Sequence, residues 1–320
     1  MDRTAGWHRP MLRFAGFMAV CSVGCVIGLV VDDRVLLGAP IWMKPLKFAI
    51  SMALYCVTWS WMHGLLTRGR RTAYWVGNGI LACMVVESVV IVGQVARGRP
   101  SHFNNSTPLD ATLWSVMAVT IVTLWVGTLV LTALVMRAPI ADPASRWAVR
   151  LGAAISLVGL GLGALMTTPP RAQPHRVGEF DRMIGAHSVG VSDGGPGMPL
   201  TGWSTTGGDL RIPHFVGMHA LQALPLLVML LGVLATRVAR LRPLEVRAKL
   251  VIIAASGYAG LVALVTWQAL RGQPLIHPDT YTATAAIALA LAVLGATGLV
   301  FGRPATEDQA RDDARAEVSA

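Results

Sequence analysis

Apolar residues along this chain gather into eight long runs separated by short polar stretches. The runs cover roughly 12–31, 41–66, 73–96, 111–136, 148–168, 213–236, 249–270 and 281–301. A helix needs about 20 predominantly apolar residues to cross the hydrocarbon of a bilayer. The pattern therefore predicts an all-α polytopic membrane protein with eight transmembrane helices. No small-residue cleavage site follows the first run, only Val30-Val31-Asp32-Asp33, so it is read as a span and not as a removed signal sequence. Between the fifth and sixth runs lies one long loop, 169–212, rich in Gly and Pro, which reads as an ordered lid. The charged tail, 302–320, is expected to fray in the cytoplasm.

Polar composition agrees with the pattern. Charged residues make up 14% of the 320 residues, against roughly 25% in a soluble domain. That excludes a water-soluble globular enzyme, and the 54% hydrophobic content excludes a disordered chain. The net charge of +10 does not point to nucleic acid, because the cations sit in loops between apolar runs. With the N-terminus inside, the cytoplasmic segments hold 17 Lys and Arg, and the outer ones six outside the long loop. Short-loop cations favour the cytoplasm, so both termini are placed inside, in a bacterial cytoplasmic (inner) membrane. Trp42, Trp114 and Trp267 fall at outer helix ends, and Trp75 and Trp147 at inner ends, as an aromatic belt would.

Two outer segments repeat one another. Gln94-Val-Ala-Arg97-Gly98-Arg99-Pro100 ends the third run and Gln268-Ala-Leu-Arg271-Gly272-Gln273-Pro274 ends the seventh, at a constant offset of 174. Each is followed by a His (His102, His277) and an Asp (Asp110, Asp279). A weaker echo links Lys47-Phe48 to His214-Phe215. The chain thus reads as two parallel four-helix repeats, 1–136 and 137–301, related by an axis along the membrane normal.

Unusual polar residues collect on the outer side: Lys47, Glu87, Gln94, Arg97, His102, Asp110, His214, His219, Gln222, Gln268, Arg271, His277 and Asp279. Together they form the candidate ligand site. Glu87 is the only acid within the eight runs, and an ionisable group inside a membrane normally faces a bundle interior or a wet cavity. Lys47, in the outer half of the adjacent helix, is its expected partner. Arg97 and Arg271 are expected to face each other and clamp a carboxylate or phosphate. The plainer reading of both Arg-Gly-x-Pro segments is a helix stop with a cation on the C-terminal dipole. His214 and His219 are i,i+5 and lie about 140° apart on a helix, so they cannot share one metal without distortion. His219, His102 and His277 are the candidate metal ligands.

The four Cys, at 21, 25, 56 and 83, lie inside apolar runs and do not form a loop disulfide framework. No P-loop, His-Glu-x-x-His or Cys-x-x-Cys occurs. Gly159, Gly161 and Gly163 follow no strand and read as a close-packing stripe.

Ile41-Trp-Met-Lys-Pro-Leu-Lys-Phe-Ala-Ile-Ser51 and Gly208-Asp-Leu-Arg-Ile-Pro-His-Phe-Val-Gly-Met-His-Ala-Leu-Gln222 resemble segments of uncharacterised bacterial multi-pass membrane proteins. The architecture, eight helices in two parallel halves with an outward-facing site, resembles heme A synthase. That family places haem-ligating histidines in helices two, four, six and eight. Here the fourth and eighth runs contain no His, and His63 lies at the inner end of the second. Haem and zinc are therefore cofactors that no motif supports.

The expectation is an integral membrane protein with an outward-facing polar pocket between two repeats, binding or transporting a small ligand, with anions among the candidates. Its partners would be the bilayer and that ligand. The alternative is a membrane-embedded enzyme, a haem- or metal-dependent oxidoreductase or hydrolase, acting at the outer face.

Overall fold

The computed structural model describes residues 6–168 and 182–302. Among them the helices are α1 (Arg9–Val31), α2 (Met43–His63), α3 (Arg70–Ala96), α4 (Pro108–Val135), α5 (Pro143–Gly161), α6 (Arg211–Met218), α7 (Ala220–Ala235), α8 (Leu244–Leu270) and α9 (Thr280–Gly302). The chain is mostly helical, and each apolar run is occupied by helix. Six helices are long and apolar enough to cross a membrane, and the bent pair α6–α7 makes a seventh. The 21 residues of α2 are not among them. Trp, Tyr, Ser, Lys and His dilute its apolar content.

Local chemistry sets the helix starts. The His8, Thr107 and Asp142 side chains accept from the N–H groups of Met11, Asp110 and Ser145, and each of α1, α4 and α5 carries Pro in its first turn. Gly98 (φ +67°) and Gly272 (φ +75°) turn the chain out of α3 and α8 in the left-handed conformation that favours glycine.

Pro225 lies inside α7. The bend, 43°, falls instead at His219, between α6 and α7. Proline clashes with the carbonyl four residues earlier, so the distortion is displaced toward the N-terminus. Carbonyls freed there are taken by neighbours: Tyr258 Oη donates to Val216 O at 2.5 Å and Ser156 Oγ to Met218 O at 2.8 Å. A broken span can persist where side chains satisfy its backbone in this way.

Packing follows one plan twice. Helix α1 packs on α2 and α3, and α3 on α4; α5 packs on α6, α7 and α8, and α8 on α9. Contacts of α4 with α5 and α2 with α7 join the two groups. The tightest approach is α5 to α6, where a Cβ on Gly159 would lie 2.3 Å from the backbone of Gly217. Of the glycine stripe, Gly159 is the position where the backbones touch. Large apolar side chains of α1 and α9 face outward, and α9 buries only Thr282. That is the surface a lipid-facing helix presents.

The described part of the long loop, 182–210, is ordered. Strands β3 (Ser188–Val189) and β4 (Gly208–Asp209) pair, and Asn104 bridges to Met183. Gly194 rests on the turn of the hairpin β1–β2 (Val35–Leu36, Ala39–Pro40), and Gly208 lies against Ala269 of α8. This lid thus touches the α1–α2 and α3–α4 connections and the end of α8 at one end of the bundle. Residues 169–181 of the loop and the tail 303–320 lie outside the described residues.

Candidate functional site

The two Gln-x-x-Arg-Gly-x-Pro segments form the same local structure. Gln94 Nε2 donates to Pro100 O (3.2 Å) and Gln268 Nε2 to Pro274 O (2.9 Å). Arg97 pairs with Asp110 (2.7 Å) and Arg271 with Asp279 (2.5 Å). The backbone N–H groups of Arg99 and Gln273 return to the carbonyls of Gln94 and Gln268. Each arginine therefore ties the end of one helix to the acid opening the next. This replaces the expected clamp of two arginines on a shared anion, because both guanidinium groups are engaged within their own connection. Asp279 is held below the ordinary carboxylate range, first by the hydrogen bond from Arg271 and then by the Thr282 N–H.

A second cluster lies deeper and straddles the two helix groups. Glu87 of α3 is 0% exposed, and its Oε1 accepts from Thr120 Oγ1 of α4 at 2.6 Å. Its Oε2 has no hydrogen-bond partner. The lysine whose charge reaches Glu87 is Lys44, not the expected Lys47. Lys47 Nζ turns to the lid and donates to Thr201 O (2.5 Å). One turn along α2 decides which lysine faces the acid, and spacing alone does not reveal that rotation.

Lys44 also lies within electrostatic range of His102, His187 and Arg211. His102, in the α3–α4 connection, hydrogen-bonds Ser101 and packs edge-on against Phe48. Burial, then the charges of Lys44 and His214, hold its pKa well below the usual histidine range, so it is neutral at neutral pH. His214 on α6 hydrogen-bonds Gly159 O at 2.8 Å. At the offset of 167 that matches Lys47 with His214, Lys44 matches Arg211. The first turns of α2 and α6 thus contribute equivalent pairs of basic residues to one place.

The lid meets this cluster at Arg211, and His187 stands between two lid aspartates. Arg211 pairs with Asp209 (2.6 Å) and donates to Gly202 O. His187 Nδ1 lies 3.3 Å from Asp193 and 3.9 Å from Asp209. Its pKa is lowered to about 4: burial is the largest cause, then Arg211, with Asp193 and Asp209 pulling the other way.

The remaining candidates are dispersed. His219 and Gln222 form a hydrogen-bonded pair at the α6–α7 bend, and Gln222 reaches Thr58 of α2 at 3.2 Å. His277 is exposed in the α8–α9 connection. His219, His102 and His277 are not gathered as a ligand set. Among the described residues no group of three or more His, Cys, Asp or Glu is placed to hold a metal. Two cavities lie away from the cluster: a water-sized void of about 10 Å³ beside His8 and His63, and an apolar groove of about 520 Å³ between α8 and α9.

His187, Asp193, Asp209 and Arg211 were not among the residues picked from the sequence, and Lys44, one of the two lysines that open the second run, was not put in the candidate ligand site. The match of Lys44 to Arg211 is the one signal that marks two of them in advance. For His187 and the lid aspartates there is none, since loop positions carry no periodicity. No protein family, curated protein or solved structure matches this chain.

Proposed function

We propose that this chain crosses a bacterial cytoplasmic membrane eight times, both termini inside, as two parallel four-helix units (1–136 and 137–301). In this reading it binds or transports a small polar ligand at the lid end, between the units, with residues 182–210 as the cover. The loop-charge asymmetry supports the topology. The duplicated packing plan and the twice-built Gln-Arg-Asp connection support the repeat. One observation carries the functional reading: Lys44 and Lys47 of one unit lie within electrostatic range of Arg211 of the other, and His102 within range of His214. Neither unit holds that set of ionisable groups by itself, and intramembrane groups of this kind mark ligand or ion paths.

The test has two parts. In a background with the four native cysteines replaced, Lys47→Cys should react with a membrane-impermeant thiol reagent added outside intact cells. In purified protein, some molecule from a panel of polar metabolites should raise the Tm and slow that labelling. Labelling that requires an opened membrane, or a panel with no effect on either readout, would sink the proposal. Haem or zinc recovered in stoichiometric amount would support the membrane-enzyme reading in its place.

A further inference from the structure

Lys47 and Arg211 come from different helix groups and end on the same piece of lid. Lys47 Nζ of α2 donates to Thr201 O at 2.5 Å, and Arg211 Nη2 of α6 donates to Gly202 O at 2.6 Å. A Cβ on Gly202 would lie 3.8 Å from Lys47 Nζ. Thr201 and Gly202 are neighbours in the chain, with Cα atoms about 3.8 Å apart. Two cations, one from each unit, therefore grip adjacent carbonyls of the lid. Arg211 is also paired with both oxygens of Asp209. Lys47 has no such acid: among the described residues the Thr201 carbonyl is its one hydrogen-bond partner, and it forms no ion pair.

The lid segment that supplies those carbonyls is strained. Residues 198–203 make a tight turn, in which Met198 N–H donates to Trp203 O and Gly202 N–H to Met198 O, each at 2.8 Å. At its tip Leu200 has φ +65° and is 83% exposed. The left-handed backbone is unfavourable for leucine, and an exposed side chain recovers nothing for it. Such a conformation persists only where its surroundings hold it. Lys47 and Arg211 are the described side chains outside the lid that hold this turn by hydrogen bonds.

A neutral carbonyl gives each cation a hydrogen bond but no opposite charge. An anionic oxygen in the same position supplies both. Lys47, Arg211 and Asp209 together leave one positive charge in excess, which one anion balances. A carboxylate or a phosphate carries two oxygens on one centre, so it can accept from both cations at once, as the two carbonyls do.

Building on the binding site proposed above, we infer that its ligand carries an oxyanion that accepts from Lys47 Nζ and Arg211 Nη2, and that the Thr201 and Gly202 carbonyls occupy those donors in the closed lid. Ligand and lid turn compete for the same two groups, so binding lifts the turn and relieves Leu200. A free carboxylate or phosphate and an anionic lipid headgroup share this chemistry.

The full chain in detergent, with the four native cysteines replaced, is given a reporter by Thr201→Cys. That change keeps the carbonyl, and the lost hydroxyl accepts only from the Trp203 N–H, at 3.5 Å. The rate of thiol labelling then reads how often the turn lifts. Inorganic phosphate, acetate and succinate are titrated at an ionic strength held constant with sodium chloride, with methylammonium and glycerol as controls. Phosphatidylglycerol against phosphatidylcholine in mixed micelles forms the lipid arm. At saturation an oxyanion from one of the two sources should speed labelling about tenfold over the controls. Lys47→Met should label fast without any ligand and gain nothing from the anion, whereas Lys47→Arg should keep the response. Leu200→Asn changes an exposed lid residue to one that takes the left-handed conformation more readily. The closed turn gains, so the anion concentration for half effect should rise about fivefold.

Equal labelling with oxyanions and controls, a Lys47→Met protein that responds like its parent, or an unchanged anion requirement in Leu200→Asn would overturn the inference. An anion that raises the Tm but slows labelling would overturn it too, because the lid would then close on its ligand instead of yielding to it. If every oxyanion fails while a neutral or cationic member of the metabolite panel raises the Tm, the inference falls and the binding site stands. If neither the oxyanions nor the panel moves the Tm or the labelling, both fall.

Discussion

The α3–α4 and α8–α9 connections share a motif and a hydrogen-bond pattern, but not an environment. Asp110 is 0% exposed and is bound by Gln94, Arg97 and Thr107, with Arg99 at 3.7 Å. Asp279 is 33% exposed and is bound by Arg271 and the Thr282 N–H. The first connection sits under the lid, whereas α9 packs outward on α8. One design thus serves as an internal strut in one half and as a surface clasp in the other. A charge pair is worth what its surroundings make it worth. A buried pair broken from one side costs roughly 3–5 kcal/mol, while an exposed pair is worth about 0–1 kcal/mol.

The sharpest way to break the comparison is to remove both acids separately. Asp110→Ala should lower stability by about 3 kcal/mol, the low end of the buried range because Arg97 is partly exposed, measured by denaturation in detergent. A loss equal to that of Asp279→Ala would show that burial does not separate the two connections. Next in size are Gly98→Ala and Gly272→Ala. Both glycines have positive φ, and a Cβ would meet nothing within 4 Å at Gly98 and nothing nearer than Val189 O, at 3.4 Å, at Gly272. Each should cost about 1 kcal/mol, equally, because the left-handed penalty does not depend on burial. Unequal losses would mean that the two backbones differ in more than their surroundings. Asp279→Ala should be smaller still, under about 1 kcal/mol at neutral pH, and should diminish with added salt. Because its folded-state pKa lies below the ordinary value, the contribution of Asp279 is present above about pH 4 and fades as the solution is acidified.

The lid should give the smallest global effect and a distinct local one. The folded-state pKa of His187 is lowered to about 4 from 6.5. The neutral imidazole is the form the closed lid holds, so its contribution is complete above pH 6.5 and is lost as pH falls toward 4. Amide exchange in residues 182–210 should speed up over that window while the exchange of α3 and α8 stays constant. A His187→Gln variant should show no such pH window. Persistence of the acceleration in that variant would remove His187 from the latch.

Much of this was legible in the chain itself where the relevant physics is local. Gln94, Arg97 and Pro100 fall within two turns of one another, so their hydrogen bonds follow from helix geometry and the Gly98 turn. The Asp that closes each connection belongs to the next helix start, which Thr107 and Pro108 announce. The bend at His219 is not marked in the sequence, because Pro225 is the visible helix breaker while the distortion appears earlier in the helix. Pairing Glu87 with Lys47 failed for a different reason. Lys44 and Lys47 are nearly one turn apart, and only the rotation of α2 against α3 selects between them. His187, Asp193 and Asp209 lie in a loop, where no apolar period reports which way a side chain turns.

By itself the amino-acid order determined the membrane character, the positions of the helices and the twice-used helix stop. Each follows from interactions between near neighbours, or from the cost of placing a polar backbone in hydrocarbon. Tertiary structure decided which lysine faces Glu87, which arginines are already paired, and that His187 sits half-buried between lid aspartates. Those outcomes depend on helix rotation and loop path, and these are set by side-chain packing between segments far apart in the chain.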